Sequence, residues 1–268
     1  HKIPISNIGG LSCLIPFLIS VIYSIYFEKI FSANFLTILI IVSISFFSLG
    51  KFDDDKNLSP SLKTFLLISL FVTFIILENN LLIKNLNFKF IELNIYTGYA
   101  SIFITLFCVI IFFNALNFAD GLNGIFASIS IYFILMLIFL TSTNSIILYA
   151  ITGCLFIFLI YNLQGKIFIG NSGNSFIGIV IASFYIYIYN TKGNIAVDEI
   201  FFIFLIPGLD TVRIAIERIF MGKSPVSKDN NHLHHLLMKK INKKLVWFFY
   251  LLLSMLPYFC LIVIKNFY

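Results

Sequence analysis

Nine stretches of roughly twenty residues, each nearly free of charge, follow one another with short polar breaks along this chain of 268 residues. As an α-helix, each is long enough to cross about 30 Å of hydrocarbon, where only helices and closed barrels satisfy their own backbone. The pattern predicts helices near 9–27, 31–50, 62–83, 98–117, 122–140, 145–164, 175–190, 199–216 and 245–264. Pro207-Gly208 interrupts the eighth, where a kink is expected. With 60% hydrophobic residues, 33 Phe and only 11% charged residues, the chain carries more apolar surface than one water-soluble fold of this length hides. The expected fold class is all-α: a polytopic transmembrane helical bundle forming one domain over residues 1–268.

Placing alternate loops on alternate sides gathers the N-terminal segment and the loops near 51–61, 118–121, 165–174 and 217–244 on one face. Most of the 18 Lys and Arg lie there, among them Lys51, Lys56, Lys63, Lys166, Arg213, Arg218 and the cluster from Lys239 to Lys244. The positive-inside rule makes that face cytoplasmic. The opposite face keeps Lys29, Lys84, Lys89, Lys192 and Lys265, and no chemistry is evident on it. All four His and six of the seven Asp fall on the basic face, although hydropathy and Lys/Arg alone assign it. This convergence marks a candidate site at one membrane boundary.

The net charge of +6 is dispersed over loops, without a basic stripe interleaved with aromatics, so membrane lipids and no nucleic acid are the expected partners. Cys13, Cys108, Cys154 and Cys260 lie singly in apolar segments, as packing residues do. The chain opens on His1 and polar residues with no signal peptide, and an upstream segment is expected to precede it.

Four constellations carry candidate chemistry. Gly50-Lys51-Phe52-Asp53-Asp54-Asp55 places three carboxylates at a helix end. Such oxygens suit a hard divalent ion shared with a phosphate, or a general base whose neighbour raises its pKa. A solvated acidic turn is the plainer reading. Asn114, Asn117 and Asp120 repeat at helical spacing and run into Gly121, Asn123 and Gly124, putting amides and a carboxylate where unpaired polar groups are expensive. A capped helical hairpin packed by small residues is the alternative. Phe168-Ile-Gly170-Asn171-Ser172-Gly173-Asn174-Ser175 precedes a helix whose N–H groups suit a phosphate, as they also suit a simple turn. Asp210, Arg213 and Arg218 lead to Asp229, His232, His234 and His235, where guanidinium and imidazole suit a diphosphate or a proton relay. Zinc binding and a solvated basic loop are its rivals.

Together these residues resemble the polyprenyl-phosphate N-acetylhexosamine-1-phosphate transferase family of bacterial membrane enzymes. G-x-x-D-D-x-x-x-L-S matches Gly50 to Ser59, with Lys63 following. N-x-x-N-F-x-D-G-[ILV]-[DN]-G matches Asn114 to Gly124, an F-x-G-D-x-G-S motif appears altered from Phe168, and D-x-x-R through S-P to D-x-x-H-[IL]-H-H covers Asp210 to His235. His1-Lys2-Ile3-Pro4 leading to Gly9-Gly10 resembles the end of a loop that follows the family's first transmembrane helix.

The resemblance implies Mg²⁺-dependent transfer (with Mn²⁺ as a substitute) of HexNAc-1-phosphate from a UDP-HexNAc to undecaprenyl phosphate at the cytoplasmic face of a bacterial inner membrane, releasing UMP. It implies Asp53 and Asp54 at the lipid phosphate and metal, Lys63, Asn114 and Asn123 at substrate, and Asn117 and Asp120 at the nucleotide end. It further implies Phe168 on uracil, Asp210 and Arg213 with His232, His234 and His235 at the diphosphate, and a homodimer. The His-Leu-His-His ending resembles the branch that handles simple HexNAc donors for O-antigen or teichoic acid; the phospho-MurNAc-pentapeptide branch stands second. Three positions depart from the pattern: Asn171 replaces a metal-binding Asp, Asn174 a Ser, and Asn230 an Arg. A non-catalytic family member and a secondary transporter are the rival classes, and the transporter would hold its ionisable groups near the midplane.

Overall fold

The computed structural model describes residues 8–224 and 231–267, so the His1 to Pro4 segment, Lys228, Asp229 and Asn230 lie outside the described residues. The elements run α1 (Gly9–Phe27), α2 (Ala33–Lys56), α3 (Pro60–Leu77), β1 (Asn85–Phe88), β2 (Leu93–Tyr96), α4 (Ser101–Ala119), α5 (Ile125–Thr141), α6 (Ile146–Leu163), α7 (Gly170–Lys192), α8 (Val197–Phe220), α9 (Leu233–Met238) and α10 (Val246–Phe267). Among the described residues, seven helices are long and apolar enough to cross a membrane. α5 is apolar but has 17 residues, and α8 carries Asp198, Glu199, Asp210, Arg213, Glu217 and Arg218. The molecule is an all-α multi-pass membrane protein.

Helix α7 is the axis of the bundle, buried on every side from Ser172 to Tyr189. A helix that is apolar all round belongs at the centre, and α7 packs against α1, α2, α4 and α5. Its two ends are secured differently. At one end tyrosine hydroxyls reach out: Tyr185 donates to the Phe133 carbonyl (2.8 Å), Tyr187 to Ser32 Oγ (3.0 Å) and Tyr189 to the Asn85 carbonyl (2.7 Å). At the other end small residues let backbones touch. A Cβ added to Gly10 would stand 2.6 Å from Gly173 Cα, and one added to Gly50 would stand 2.5 Å from Ser172 Cα. Only glycine permits these approaches.

Four carboxylates hold the end away from these glycines. Glu28 accepts from Ser145 Oγ (3.0 Å) and the Ile146 N–H (2.9 Å), joining α1 to the start of α6. Glu78 accepts from Asn34 Nδ2 (2.8 Å), and Asp198 from the Phe90 N–H (2.7 Å). Glu199 pairs with Lys89 (3.3 Å) and Lys265 (3.2 Å). The face on which no chemistry was evident is thus a set of loop ties.

The structure corrects several boundaries. α2 continues through Asp53, Asp54 and Asp55 to Lys56 instead of ending near 50. α3 stops at Leu77, not near 83, and the chain enters an antiparallel hairpin, with Asn85 opposite Tyr96, that the all-α expectation did not contain. Hydropathy continues past the end of α3, because Leu81, in a short 3-10 turn, and Leu82 and Ile83 beyond it still pack as apolar residues. α7 starts at Gly170 instead of near 175, since its first N–H groups find an acceptor outside the sequence window, as described below. α8 is one uninterrupted helix through Pro207.

Gly50→Ala is expected to lower the melting midpoint of the detergent-solubilised protein, with an overpacking cost of about 1–3 kcal/mol. Thermal unfolding of the variant beside the parent checks this.

Candidate active site

The carboxylates of the acidic run diverge because consecutive helical residues point about 100° apart. Asp53 turns inward: its Oδ1 accepts the Leu58 N–H (3.0 Å) and its Oδ2 meets Lys63 Nζ at 2.7 Å. Asp54 turns to α7, where Oδ1 accepts the Asn171 N–H (3.0 Å) and Oδ2 the Ser172 N–H (3.2 Å). Asp55 turns outward and pairs with Lys51 at 3.4 Å on the exposed surface. The three carboxylates thus have three separate sets of partners.

Local chemistry makes this turn. Asn57 ends α2 in the left-handed region at φ 51°, donating its N–H to the Asp53 carbonyl, a position Asn tolerates. Ser59 caps α3 and Pro60 begins it. The break between helices is so short that Lys63, in the first turn of α3, reaches back to Asp53 and on to Asn171 Oδ1 at 3.0 Å.

Asp54 supplies what the first turn of α7 lacks, acceptors for N–H groups with no intrahelical partner. The phosphate cradle expected there is occupied by a carboxylate from the chain itself.

A cavity of about 620 Å³ opens between these elements, lined by Asp53, Asn57, Lys63, Asn114, Asn117, Phe118, Asp120, Gly121, Asn171, His232, His234 and His235, with Leu58, Pro60, Thr64, Leu67 and Phe113 on an apolar side. Four of the expected segments, far apart in sequence, converge there. A smaller apolar cleft between α2, α3 and α4 shares Thr64, Leu67, Phe113 and Asn114 with the cavity and continues along Phe46, Ile68, Phe71, Leu106, Val109 and Ile110.

Asp210 and Arg213, expected at the diphosphate, do not line this cavity. Asp210 accepts from Arg213 Nη2 (2.8 Å) and the Leu233 N–H (3.1 Å), and its Oδ2 faces His232 Nδ1 at 3.3 Å. Arg213 also binds Glu217 (2.7 Å) and the Asn231 carbonyl (2.7 Å). The pair anchors the histidine segment. His232 then lies on Phe118, ring centroids 4.0 Å apart, and His234 stacks near it at 5.7 Å with planes 5° apart.

Phe168 and Asn123 also fall outside the lining. Phe168 is half-buried and its carbonyl accepts the Gly9 N–H at 3.1 Å, while Asn123 is exposed on the turn before α5. Their loops are braced together by Asn162, which accepts the Gly124 N–H (2.6 Å) and donates to the Ile167 carbonyl (2.9 Å). Asn162 was missed in the sequence. Its signal is an amide at the end of an otherwise apolar run. Phe118, which carries His232 on one side and has the Arg218 guanidinium 5.6 Å from its ring centroid, was not singled out either, although it is the Phe of the motif from Asn114 to Gly124.

Burial, and after it the nearby Asp54, push the Asp120 carboxyl up to about 8, with Lys63 opposing the shift. At neutral pH it carries a proton and can donate a hydrogen bond. Burial, with His235 and His232 beside it, pushes His234 down to about 4, so its imidazole is neutral. Its buried Nε2 has no hydrogen-bond partner among the described residues and abuts Gly121, whose added Cβ would stand 2.9 Å from it.

The donor set does not fit an open divalent-cation site. Both oxygens of Asp53 and of Asp54 are engaged, and the amide oxygen of Asn171 receives Lys63. Among the described residues, no group of three or more His, Cys, Asp or Glu is arranged to hold a metal ion.

Residues 35–189 match the model of glycosyl transferase family 4. The chain belongs to that family. Among relatives of this glycosyl transferase family 4 chain, the undecaprenyl-phosphate alpha-N-acetylglucosaminyl 1-phosphate transferase of Escherichia coli (strain K12) is 26% identical over 204 residues, covering 71% of this chain and 55% of that protein. The protein of the same name from Yersinia pestis is 27% identical over 203 residues, again 71% and 55%. A probable undecaprenyl-phosphate N-acetylglucosaminyl 1-phosphate transferase from Bacillus subtilis (strain 168) is 26% identical over 250 residues, covering 89% and 67%. The chain spans about half the length of the enterobacterial relatives.

The Asp120 shift sets a pH dependence of stability. The unfolded carboxyl ionises near 3.8 and the folded one near 8, so between those values the folded state holds the extra proton. Stability therefore falls as pH rises through that window and stays reduced above it. Asp120→Asn removes the effect: its melting midpoint relative to the parent is expected to rise between about pH 5 and about pH 9. Paired melting curves across that range check the sign.

Proposed function

We propose that this chain transfers an N-acetylhexosamine 1-phosphate from a UDP-sugar to undecaprenyl phosphate, releasing UMP and beginning a lipid-linked glycan. The observation that carries the reading is the joining of two unlike spaces. A cavity of about 620 Å³, with charged and amide side chains along part of its wall, has the size of a small-molecule site. The adjoining cleft between α2, α3 and α4 is apolar and shares a wall with it. One polar substrate and one amphiphilic lipid need that combination.

In the reaction a phosphate oxygen of the lipid attacks the β-phosphorus of the donor. The bond from that phosphorus to the bridging oxygen breaks, UMP departs, and the glycosidic bond stays intact. Both reactants are anionic, so charge stabilisation is the principal catalytic demand. Lys63, held by Asp53, supplies a fixed positive charge at the cleft junction. Asn114 and Asn117 offer amides along the same wall. Protonated Asp120 and the neutral imidazole of His234 can donate hydrogen bonds to phosphoryl oxygens, with His232 and His235 beside them. Asp210 and Arg213 act by positioning those imidazoles. Asn123 and Phe168, braced through Asn162, are assigned to the nucleotide end beyond the cavity lining.

The names of the relatives support an N-acetylglucosaminyl donor, and the distribution of Lys and Arg supports a cytosolic opening at a bacterial inner membrane. Asn171 favours one second reading, a family member that binds substrate without turnover.

Purified protein, undecaprenyl phosphate and a panel of UDP-sugars, followed by UMP release, test the reading. UDP-GlcNAc or a related simple donor is expected to react in preference to UDP-MurNAc-pentapeptide. Asp53→Asn and Asp120→Asn are each expected to lose about a hundredfold or more in rate. Parental rates from both variants would overturn the site, and donor binding without UMP would favour the non-catalytic reading.

A further inference from the structure

Residue 171 and Lys63 together alter what the acidic corner of the cavity can bind. Lys63 Nζ lies 2.7 Å from Asp53 Oδ2 and 3.0 Å from Asn171 Oδ1. Its side chain is 15% exposed and that of Asp53 is 8% exposed, so the contact is largely withdrawn from solvent. An ammonium therefore occupies the space between the two side chains that would have to converge on a divalent ion. The remaining carboxylate is also committed, since Asp54 spends both oxygens on the first turn of α7, where the helix end carries about half a positive charge.

Charge decides the outcome. One ammonium balances the Asp53 carboxylate, the α7 terminus compensates Asp54 in part, and the amide of Asn171 adds none. Only about half a negative charge is left over to draw a hard divalent ion out of water, which such ions leave reluctantly. An aspartate at 171 would change this with almost no change of shape. Two carboxylates would then share one ammonium, adding a full negative charge to the corner. The backbone of residue 171 is pinned through its N–H to Asp54 and by the close passage of Gly50, so the exchange would alter charge and not position.

We infer that Lys63 is the resident cation of this corner, taking the place of a divalent ion between Asp53 and Asn171, and that the corner binds a phosphate monoester by its ammonium without a metal. The phosphate part rests on the proposed function; the exclusion of a divalent ion does not.

Mn²⁺ alone, titrated into the purified full chain and followed by the electron paramagnetic resonance signal of the free ion, separates the two. The parent chain is expected to show no saturable site tighter than about 1 mM, within the weak range for oxygen-ligand sites. Asn171→Asp is expected to gain one equivalent of Mn²⁺ bound about tenfold or more tightly, and Lys63→Gln, which frees Asp53 Oδ2, to gain affinity independently. One equivalent bound by the parent below about 0.1 mM would overturn the inference. So would the absence of any gain in both variants. UMP release by the parent in excess EDTA is the expected companion result, and its abolition by EDTA would count against the inference. A chain that releases no UMP with any donor would overturn the proposed function while leaving the Mn²⁺ titration fully readable.

Discussion

The first N–H groups of α7 have no acceptor within their own helix, and the Asp54 carboxylate of α2 takes two of them. An ionic cap at a partly buried helix end is worth about 1–2 kcal/mol, but its geometric effect is larger than its energy. It sets the height of α2 against the central helix, and the bare Gly50 Cα lets the two backbones close to contact. Once that register exists, Asp53 must face the cavity, Lys63 must cross to it from α3, and Asn171 must hang over both. The rest of the site is built out from this junction.

A second junction is an ion pair, Arg213 with Asp210 and Glu217. Asp210 accepts from Arg213 and the Leu233 N–H, so the segment after α8 folds back and lays His232 on Phe118. The imidazoles line the same cavity as Lys63. Asp120 lines it too, its proton kept by burial and by the neighbouring Asp54. The site thus limits its own negative charge: one aspartate is paired with an ammonium, one with a helix terminus, and one is protonated. Within the acidic run, Asp55, exposed and beside Lys51, bears its charge toward solvent.

Much of this was legible in the order of residues. Period and hydropathy located the helices because lipid accepts few alternatives to a self-satisfied backbone, and the basic loops picked out the face on which Asp53, Asp120 and His232 to His235 converge. Boundaries were harder. The sequence places Asp53-Asp54-Asp55 as polar residues after an apolar run, yet they form the last turn of α2, because Asp53 and Asp54 find partners in α3 and α7. Leu81 to Ile83 prolong an apolar run whose helix has already ended. Asn162, bracing two loops with one amide, reads in one dimension as a stray polar residue.

By itself the sequence determined that the chain is a helical membrane protein, which end of the bundle holds its chemistry, and which residue types are available there, since composition and periodicity act locally and alternate loops must alternate sides. Only the tertiary structure decided which aspartate faces the cavity, that Arg213 positions a histidine segment instead of lining the pocket, and that an ammonium stands between Asp53 and Asn171. Those outcomes depend on the rotation and height of each helix relative to its neighbours, and these are set by contacts such as Gly50 on Ser172 and Asp54 on α7, between residues more than a hundred positions apart.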